Sequence, residues 1–195
     1  PINPYGNTKA AIEKILNDIY QSSPKEWRIS SLRYFNPIGA HGSGIIGEDP
    51  SSKPQNIFPL LLNVAIGKIK LLKIFGNDWP TPDGTAIRDY IHVIDLANAH
   101  VKTLDLLLNE KPQIMNINLG TAKGTSVLEL INTFEEVNNI KIPYEFAARR
   151  EGDVCKLIAD NSLAFSRLNW IPIKNISDMC LDGWKWQKSN PKGYV

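Results

Sequence analysis

Apolar residues recur at helical spacing in several stretches of the chain, and short apolar runs separate these stretches. The first helical pattern covers residues 5–21 and ends before Pro24, because proline cannot continue a helix. Its apolar positions are Ala11, Ile12, Ile15, Leu16 and Ile19. Further helices are predicted over residues 56–68, from a cap at Asp95, from the Ser126–Glu129 capping box to residue 137, over residues 162–169 and over residues 177–188.

The short apolar runs between these helices predict β-strands. The runs are residues 27–35, 71–75, 87–93, 115–119 and 144–148. Strands that alternate with helices are typical of an α/β protein, but a doubly wound sheet needs about six strands in one layer. We therefore predict an α/β fold that is the C-terminal part of a Rossmann-type doubly wound parallel sheet, plus a small α/β substrate-binding lobe.

The boundary between these two parts is predicted soon after the first strand. Residues 1–39 form the end of the Rossmann domain in this interpretation, and residues 40–195 mainly form the lobe. A segment of about residues 85–110 is expected to return to the Rossmann domain. Since the chain begins with Pro1 rather than Met, we expect it to be the back part of a longer protein whose missing strands lie upstream.

Composition and charge narrow the class of protein. Hydrophobic residues make up 43% of the chain and charged residues 22%, as is ordinary for a globular protein. The net charge of +2 gives no reason to expect binding to nucleic acid or to a membrane. Cys155 and Cys180 show neither disulfide-framework nor zinc-site spacing, which favours a reducing, cytoplasmic location. We expect the three histidines to be structural, and we expect no metal site.

Tyr5 and Lys9 stand four residues apart at the start of the first predicted helix. Residues at this spacing share a helical face, so the phenol and the ammonium point the same way. A cation beside a phenol favours the phenolate, which can act as a general base. The pattern is weak by itself, because an exposed tyrosine and a solvated lysine at this spacing are common in helices.

Two further segments bear on ligand binding. The strand over residues 27–35 is continued by Asn36, at the edge where open α/β sheets bind ligands. Its final Tyr34 and Phe35 could line a nicotinamide, or they could be a buried aromatic pair before a turn. Residues 42–47 match the Gly-x-Gly-x-x-Gly spacing, but acidic loop residues follow where a helix should begin. We therefore predict a flexible loop there, not a dinucleotide-phosphate site.

Taken in order, the motifs of the chain resemble the C-terminal part of the UDP-glucose 4-epimerases, a family of extended short-chain dehydrogenases/reductases. The matching segments are Pro4–Lys9, Arg33–His41, Gly47–Pro50, Phe75–Asp78, Asp83–Thr85, Arg88–Val93, Asp95–Ala97, Asn118–Thr121, Arg149–Asp153 and Trp184–Gln187. Tyr-x-x-x-Lys marks only the superfamily, whereas the run from Phe75 to Asp95 is specific to these epimerases and their nearest relatives. The resemblance extends over essentially the whole chain.

The resemblance implies a set of site residues. Tyr5 would take the proton from the sugar 4-hydroxyl, and Lys9 would bind the nicotinamide ribose. Tyr34 and Phe35 would lie at the nicotinamide and the sugar, so the implied NAD contacts are these four residues. The implied UDP-sugar contacts are Tyr34, Phe35, Asn36, Gln55, Asn56, Ile57, Lys73, Ile74, Phe75, Arg88, Arg150, Glu151, Gly152, Asp153 and Leu157.

Within the UDP-sugar set, the resemblance places Phe75 against the uracil and Asp153 at a ribose hydroxyl. Arg88 and Arg150 would bind the diphosphate, which suits the planar fork of donors on each guanidinium. In the alternative interpretation, each arginine forms a surface salt bridge with the acidic residue that follows it, Asp89 or Glu151.

The implied activity is reversible, NAD-dependent 4-epimerisation of UDP-glucose and UDP-galactose through a 4-keto intermediate, in galactose metabolism. A homodimer is also implied. The bulk of Leu157 leaves open whether N-acetylated sugars fit the pocket. Two alternatives stay open: another nucleotide-sugar short-chain enzyme, such as a 4,6-dehydratase or decarboxylase, and a non-catalytic UDP-binding domain. Because the NAD phosphate-binding glycines are not among residues 1–195, we expect these residues alone to bind NAD poorly and to be inactive.

Overall fold

The computed structural model describes residues 1, 3–50 and 54–194 of the chain. Its helices are α1 (Pro4–Ser22), α2 (Ile57–Ala65), α3 (Val93–Asn109), α4 (Val127–Asn138), α5 (Ser162–Leu168) and α6 (Ile176–Ser189). Its strands are β1 (Arg28–Tyr34), β2 (Asn36–Ile38), β3 (Leu72–Phe75), β4 (Ile87–Arg88), β5 (Tyr90–His92), β6 (Gln113–Leu119), β7 (Thr125–Ser126), β8 (Tyr144–Ala147) and β9 (Lys156–Leu157).

Parallel pairing dominates among these strands. β1 and β6 run side by side with Arg28 opposite Gln113 and Tyr34 opposite Leu119. β2 pairs with β5 and β3 pairs with β8, both in parallel. The short β4 lies between antiparallel β7 and parallel β9. Helices alternate with parallel strands, so the predicted α/β class is confirmed.

Two hydrophobic cores divide the fold into two regions. The sheet region consists of β1 and β6 with α1, α3 and α5, and the lobe consists of α2, β3, α4, β8 and α6. The sheet-region core contains Ile91, Leu96, Ala99, Met115, Ile117, Leu119, Ala164, Leu168 and Trp170. The lobe core contains Ile38, Phe58, Leu61, Leu62, Val64, Leu72, Ile74, Tyr90, Leu130, Ile131, Phe134, Ile142, Met179 and Cys180. Burial of each large apolar side chain contributes about 1.5–3 kcal/mol, so each region has its own source of stability.

Helix α1 lies on the sheet region with little burial. Asn3 caps it by accepting from the amide of Gly6. Arg33 on β1 donates from Nε and Nη2 to the Glu13 carboxylate, at 2.6 and 2.5 Å, and this pair lowers the pKa of Glu13. No residue of α1 is buried, and Ile15 is 57% exposed. Polar contacts therefore hold α1 more than apolar packing does.

The predicted boundaries of the helices are close to those observed, with one clear error at α2. This helix ends at Ala65 and not near residue 68, because Gly67 has a φ of +82° and the next two amides donate back to the carbonyl of Asn63. At α4 the predicted capping box is confirmed. Ser126 Oγ accepts from the amide of Glu129 at 3.0 Å, and the Glu129 carboxylate accepts from the amide of Ser126 at 2.6 Å.

The predicted cap of α3 is wrong. His92, not Asp95, caps the helix, and its Nδ1 accepts from the amide of Ile94 at 3.1 Å. Asp95 lies within the first turn and is buried. Its carboxylate accepts from the amides of Ile173 and Lys174 at 3.0 and 2.9 Å, so it ties α3 to the segment that precedes α6.

The Gly-x-Gly-x-x-Gly segment is a loop, as predicted. It follows the short strand β2, and no helix follows it through residue 50. Lys185 and Asn190 of α6 and its C-cap donate to the carbonyls of Gly42 and Gly44, which attaches the loop to the lobe. None of the helices in the described ranges is long and apolar enough to cross a membrane.

Candidate active site

A cavity of about 790 Å³ lies between the sheet region and the lobe. Its volume is within the range of small-molecule sites. The predicted site residues that line it are Tyr5, Phe35, Asn36, Gln55, Asn56, Ile57, Lys73, Ile74, Phe75, Arg88, Arg150 and Asp153. Segments from both regions, from Tyr5 near the start of the chain to Asp153, therefore meet in one place.

The other predicted site residues do not line this cavity; they are Lys9, Tyr34, Glu151, Gly152 and Leu157. The Lys9 ammonium lies 5.1 Å from the centre of the Tyr5 ring, on the same helical face. The Tyr34 hydroxyl lies 2.7 Å from Nε2 of His100 on α3, so this side chain points away from Phe35. Leu157 lies on β9 beside the cavity-lining strand β4 and is 47% exposed.

Tyr5 stands at the open mouth of the cavity. It belongs to the first turn of α1, which the Asn3 cap and Pro4 position, and 73% of the residue is exposed. The aromatic ring of Phe35 lines the same cavity from the end of β1. A phenol in this position is accessible to a bound substrate.

Arg88 is held rigidly in the cavity wall. Its Nη1 donates to the carbonyls of Ile87 and Val154 at 2.9 and 2.8 Å, and only 15% of its side chain is exposed. Its Nη2 faces the Asp153 carboxylate at 3.9 Å. These contacts fix the Arg88 side chain while it lines the cavity.

Arg150 reaches the same carboxylate from a neighbouring turn. Its Nε donates to Asp153 Oδ2 at 3.1 Å, and its guanidinium lies 4.7 Å from the centre of the Phe75 ring. Cation–π contacts at this distance are stabilising. The interpretation in which the two arginines pair with Asp89 and Glu151 is wrong, since both guanidinium groups face Asp153 instead.

A tight turn brings Arg150 and Asp153 together. Gly152 has a φ of +81°, a conformation that side chains other than hydrogen disfavour, and the amide of Asp153 donates to the carbonyl of Arg150 at 3.2 Å. Glu151 is exposed at the tip of the turn. Gly152 and Glu151 thus shape the site without lining it.

Asp89 fixes the strand that carries Arg88. It is fully buried, and its carboxylate accepts from the amide and hydroxyl of Thr121 at 2.7 and 2.6 Å. It also accepts from the amides of Ala122 and Ala159 at 2.9 and 3.1 Å. Its four donors satisfy the buried carboxylate, which joins three chain segments behind the cavity wall.

Tyr90 is a cavity residue that the sequence analysis missed. It is 3% exposed, it lines the cavity, and its hydroxyl has no hydrogen-bond partner among the described residues. Burial raises its pKa, so the hydroxyl stays protonated and can donate. The available signal was its position two residues after Arg88, because alternate residues of an extended chain share a face.

His92 has a structural role at the start of α3. Its side chain is fully buried, and Nε2 lies 3.2 Å from Oδ2 of Asp182, which Lys174 also approaches at 3.5 Å. Burial lowers the pKa of His92 although Asp182 acts in the opposite direction. The first turn of α3, including Val93 and Ile94, lines the cavity. Across the described ranges, no group of three or more His, Cys, Asp or Glu side chains is arranged to hold a metal ion.

Comparison with known proteins gives a family for this architecture. The family model described as GDP-mannose 4,6 dehydratase matches residues 1–182. The chain is 50% identical over 192 residues to the UDP-glucose 4-epimerase of Dictyostelium discoideum. That match covers 98% of this chain and 56% of the relative.

Solved structures agree with this result. The UDP-glucose 4-epimerase of Stenotrophomonas maltophila, with bound NAD and formylated UDP-arabinopyranose, matches with a TM-score of 0.93 at 43% identity. The enzyme of Bifidobacterium longum, in complex with NAD+ and UDP, matches with a TM-score of 0.93 at 45% identity. Each match covers 98% of this chain and 56% of the other chain. The chain therefore spans a little over half the length of these relatives.

Proposed function

The chain belongs to the family described as GDP-mannose 4,6 dehydratase, and from this premise we propose that it forms the UDP-sugar-binding part of a UDP-glucose 4-epimerase. The reaction is the reversible interconversion of UDP-glucose and UDP-galactose through a 4-keto sugar. One observation carries the proposal: Tyr5, Phe75 and the pair Arg88 and Arg150 line a single cavity. A nucleotide-sugar reaction needs a general base for the sugar, an aromatic ring for the nucleobase and cations for the diphosphate, and these residues can supply all three.

The arginines and Phe75 anchor the nucleotide. Two guanidinium groups offset the charge of a diphosphate, and Arg88 needs little reorganisation because backbone carbonyls already hold it. Phe75 and Lys73 on β3 line the same part of the cavity, where Phe75 offers a face for the uracil. A ligand held by these remote contacts can turn its sugar without leaving the site.

Tyr5 takes the proton from the sugar 4-hydroxyl and later returns it. Its hydroxyl is accessible at the cavity mouth, and the Lys9 ammonium lies 5.1 Å from the ring centre. A nearby cation stabilises negative charge on the phenolate during proton transfer. Lys9 therefore acts with Tyr5 although it does not itself line the cavity.

NAD is the cofactor that we propose, because the residues at the cavity mouth fit its nicotinamide end. Tyr5 and Phe35 line the cavity, and Lys9 lies beside Tyr5 with three donors for ribose hydroxyls. When bound, NAD supplies the oxidised ring that reversibly accepts hydrogen from C4 of the sugar. The Gly42–Gly47 loop does not serve its phosphates, since no helix follows it through residue 50.

A 4,6-dehydratase is the second candidate, because the matching family model carries that description. Product identity separates the two reactions. We would supply the native full-length protein with NAD and UDP-galactose and resolve the products by anion-exchange chromatography. UDP-glucose as the product supports the epimerase. A 4-keto-6-deoxy sugar nucleotide, or no conversion of UDP-galactose, contradicts it.

We also propose that the protein forms a homodimer through α1. The support is the exposure of Ile12 and Ile15, at 50% and 57%, on a helix with no buried residue. Light scattering at micromolar concentration tests this point. A monomer mass that does not change with concentration contradicts it.

A further inference from the structure

The loop that follows β2 forms part of the cavity wall, and residues from α6 onward hold it there. We propose that Tyr194 is a positioning residue for the sugar end of the cavity, where Tyr5 and Phe35 lie. Its hydroxyl fixes Gly47 and, through it, the cavity-lining residues 46–48. The fixed loop then contacts the sugar of a bound sugar nucleotide and strengthens its binding. This inference rests on the proposed function and deepens it.

Tyr194 holds both backbone groups of Gly47. The Gly47 amide donates to the Tyr194 hydroxyl at 3.0 Å, and this hydroxyl donates to the Gly47 carbonyl at 3.1 Å. The amide of Tyr194 donates in turn to the Asp49 carboxylate at 2.9 Å. A single hydroxyl therefore satisfies a donor and an acceptor of the loop backbone, which would otherwise depend on water.

The buried Trp186 indole provides a rigid base for this contact. Trp186 is 2% exposed, and its Nε1 donates to the carbonyl of Glu48 at 3.2 Å. The Tyr194 ring packs against it with the ring centres 4.7 Å apart. A Cβ at Gly47 would overlap the same indole, so the loop backbone lies directly against it. Because Trp186 belongs to α6, the lobe determines the position of the loop.

The loop belongs to the sugar end of the cavity. β2 begins at Asn36, directly after Phe35, and the chain lines the cavity from Phe35 to His41 before it enters the loop. The loop returns to the cavity wall with residues 46–48. An acidic side chain at Glu48 would repel a diphosphate but can accept from sugar hydroxyls, so this part of the wall suits the uncharged sugar.

The test compares Tyr194→Phe with Tyr144→Phe in the native full-length protein. Tyr194→Phe removes the hydroxyl and keeps a ring for Trp186. Tyr144 is a tyrosine of similar exposure on β8 that does not line the cavity, so its substitution is the matched control. We expect Tyr194→Phe to raise the KM for UDP-galactose about two- to tenfold with kcat nearly unchanged, because the loosened loop weakens ground-state and transition-state contacts alike.

Two further measurements separate positioning from a general loss of stability. Calorimetry with UDP, which lacks the sugar, should give the same dissociation constant for Tyr194→Phe as for the unmodified protein. Hydrogen exchange without ligand should be faster at the Gly47 amide in Tyr194→Phe, because this amide has lost its acceptor. We expect Tyr144→Phe to change none of these quantities.

Three results would overturn the inference. One is an unchanged KM for UDP-galactose in Tyr194→Phe, which would leave the tyrosine a structural role only. Another is a rise in the UDP dissociation constant as large as the rise in KM, which would place the loop at the nucleotide. The third is unchanged exchange at the Gly47 amide. If the unmodified protein does not convert UDP-galactose, the proposed function fails, while exchange at Gly47 still decides whether Tyr194 holds the loop.

Discussion

The functional side chains on the two sides of the cavity differ in how firmly they are held in place. On one side of the cavity, which carries Phe75, Arg88 and Arg150 and which we call the lobe side, the Arg88 side chain is 15% exposed and held by two carbonyls, and Asp89 behind it is fully buried. On the sheet-region side, Tyr5 is 73% exposed and stands on a helix with no buried residue. Arg88, which we assign to the diphosphate, is therefore preorganised, whereas the Arg150 side chain is 50% exposed and the proposed base is supported mainly by a helix cap.

This difference predicts that nucleotide binding and catalytic turnover depend on different parts of the cavity. Preorganised groups bind a ligand without a further ordering cost, so nucleotide affinity should depend on the lobe side alone. Turnover should depend on both sides, because the base must meet a ligand that the lobe holds. Substitutions on each side can therefore test whether the two properties are independent.

The largest effect is expected for Tyr5→Phe, which should lower kcat strongly and leave UDP affinity nearly unchanged. Loss of a general base lowers kcat by about 10²- to 10⁴-fold, and we expect UDP affinity to change by less than about twofold. Turnover of UDP-galactose by the native full-length protein and calorimetry with UDP measure the two quantities. Tyr20→Phe on the same helix is the control and should retain activity. A large loss of UDP affinity in Tyr5→Phe would show that the two sides are not independent.

The next largest effect is expected for the buried Asp89 carboxylate, which links three chain segments behind the cavity wall. Asp89→Ala leaves four donors from Thr121, Ala122 and Ala159 without their acceptor. We expect a loss of about 3 kcal/mol or more in the free energy of unfolding, measured by denaturant titration. Asp105→Ala, at an exposed position of α3, should change it by about 0.5 kcal/mol at most. Similar values for the two variants would mean that the Asp89 contacts do not hold the fold together.

A smaller effect is expected for Arg88→Ala, which should weaken UDP binding. Loss of a fixed guanidinium should weaken UDP by about 10- to 100-fold, because charge-assisted hydrogen bonds contribute about 1.5–3 kcal/mol. Calorimetry gives this ratio directly. Arg149→Ala is the control, since Arg149 pairs with Asp78 outside the cavity. Equal weakening by both variants would argue against a specific diphosphate contact.

The smallest effect is expected for a substitution on the exposed face of α1, which we compare with the same substitution in the lobe core. Ile15→Ala removes methyl groups that are largely exposed on α1, and we expect a change within about 0.5 kcal/mol in the free energy of unfolding of the 195-residue chain. The same substitution at Ile131, which is fully buried in the lobe core, should cost about 2–5 kcal/mol. Denaturant titration compares the two. A cost at Ile15 that approaches the cost at Ile131 would mean that α1 is packed more tightly than its exposure indicates.

Sequence patterns predicted the helices and strands better than they predicted the hydrogen-bond partners of buried side chains. Periodicity reports which face of a helix is buried, and the Ser126–Glu129 capping box is a local signal, so both could be read from sequence. The partners of Asp89 come from 32 to 70 residues away, where no local pattern exists. The cap of α3 was missed for a related reason. His92 is an uncommon cap, and Asp95 was the more usual residue type nearby.

The candidate site shows the same limit. Tyr5, Phe75 and the two arginines were expected from motifs, and the fold brings them to one cavity. The position of Asp153 between the arginines depends on a turn at Gly152 and on strand β4, which are far apart in sequence. Local patterns report only local geometry, so they could not indicate that two separate segments share one carboxylate.

Titration of UDP into the 195-residue chain, without NAD, tests most directly whether the lobe side is a complete nucleotide site. We predict binding at one site per chain, with an affinity that Tyr5→Phe leaves unchanged and Arg88→Ala weakens. Absence of UDP binding by the folded chain, or binding that Arg88→Ala does not weaken, would contradict a preorganised nucleotide site.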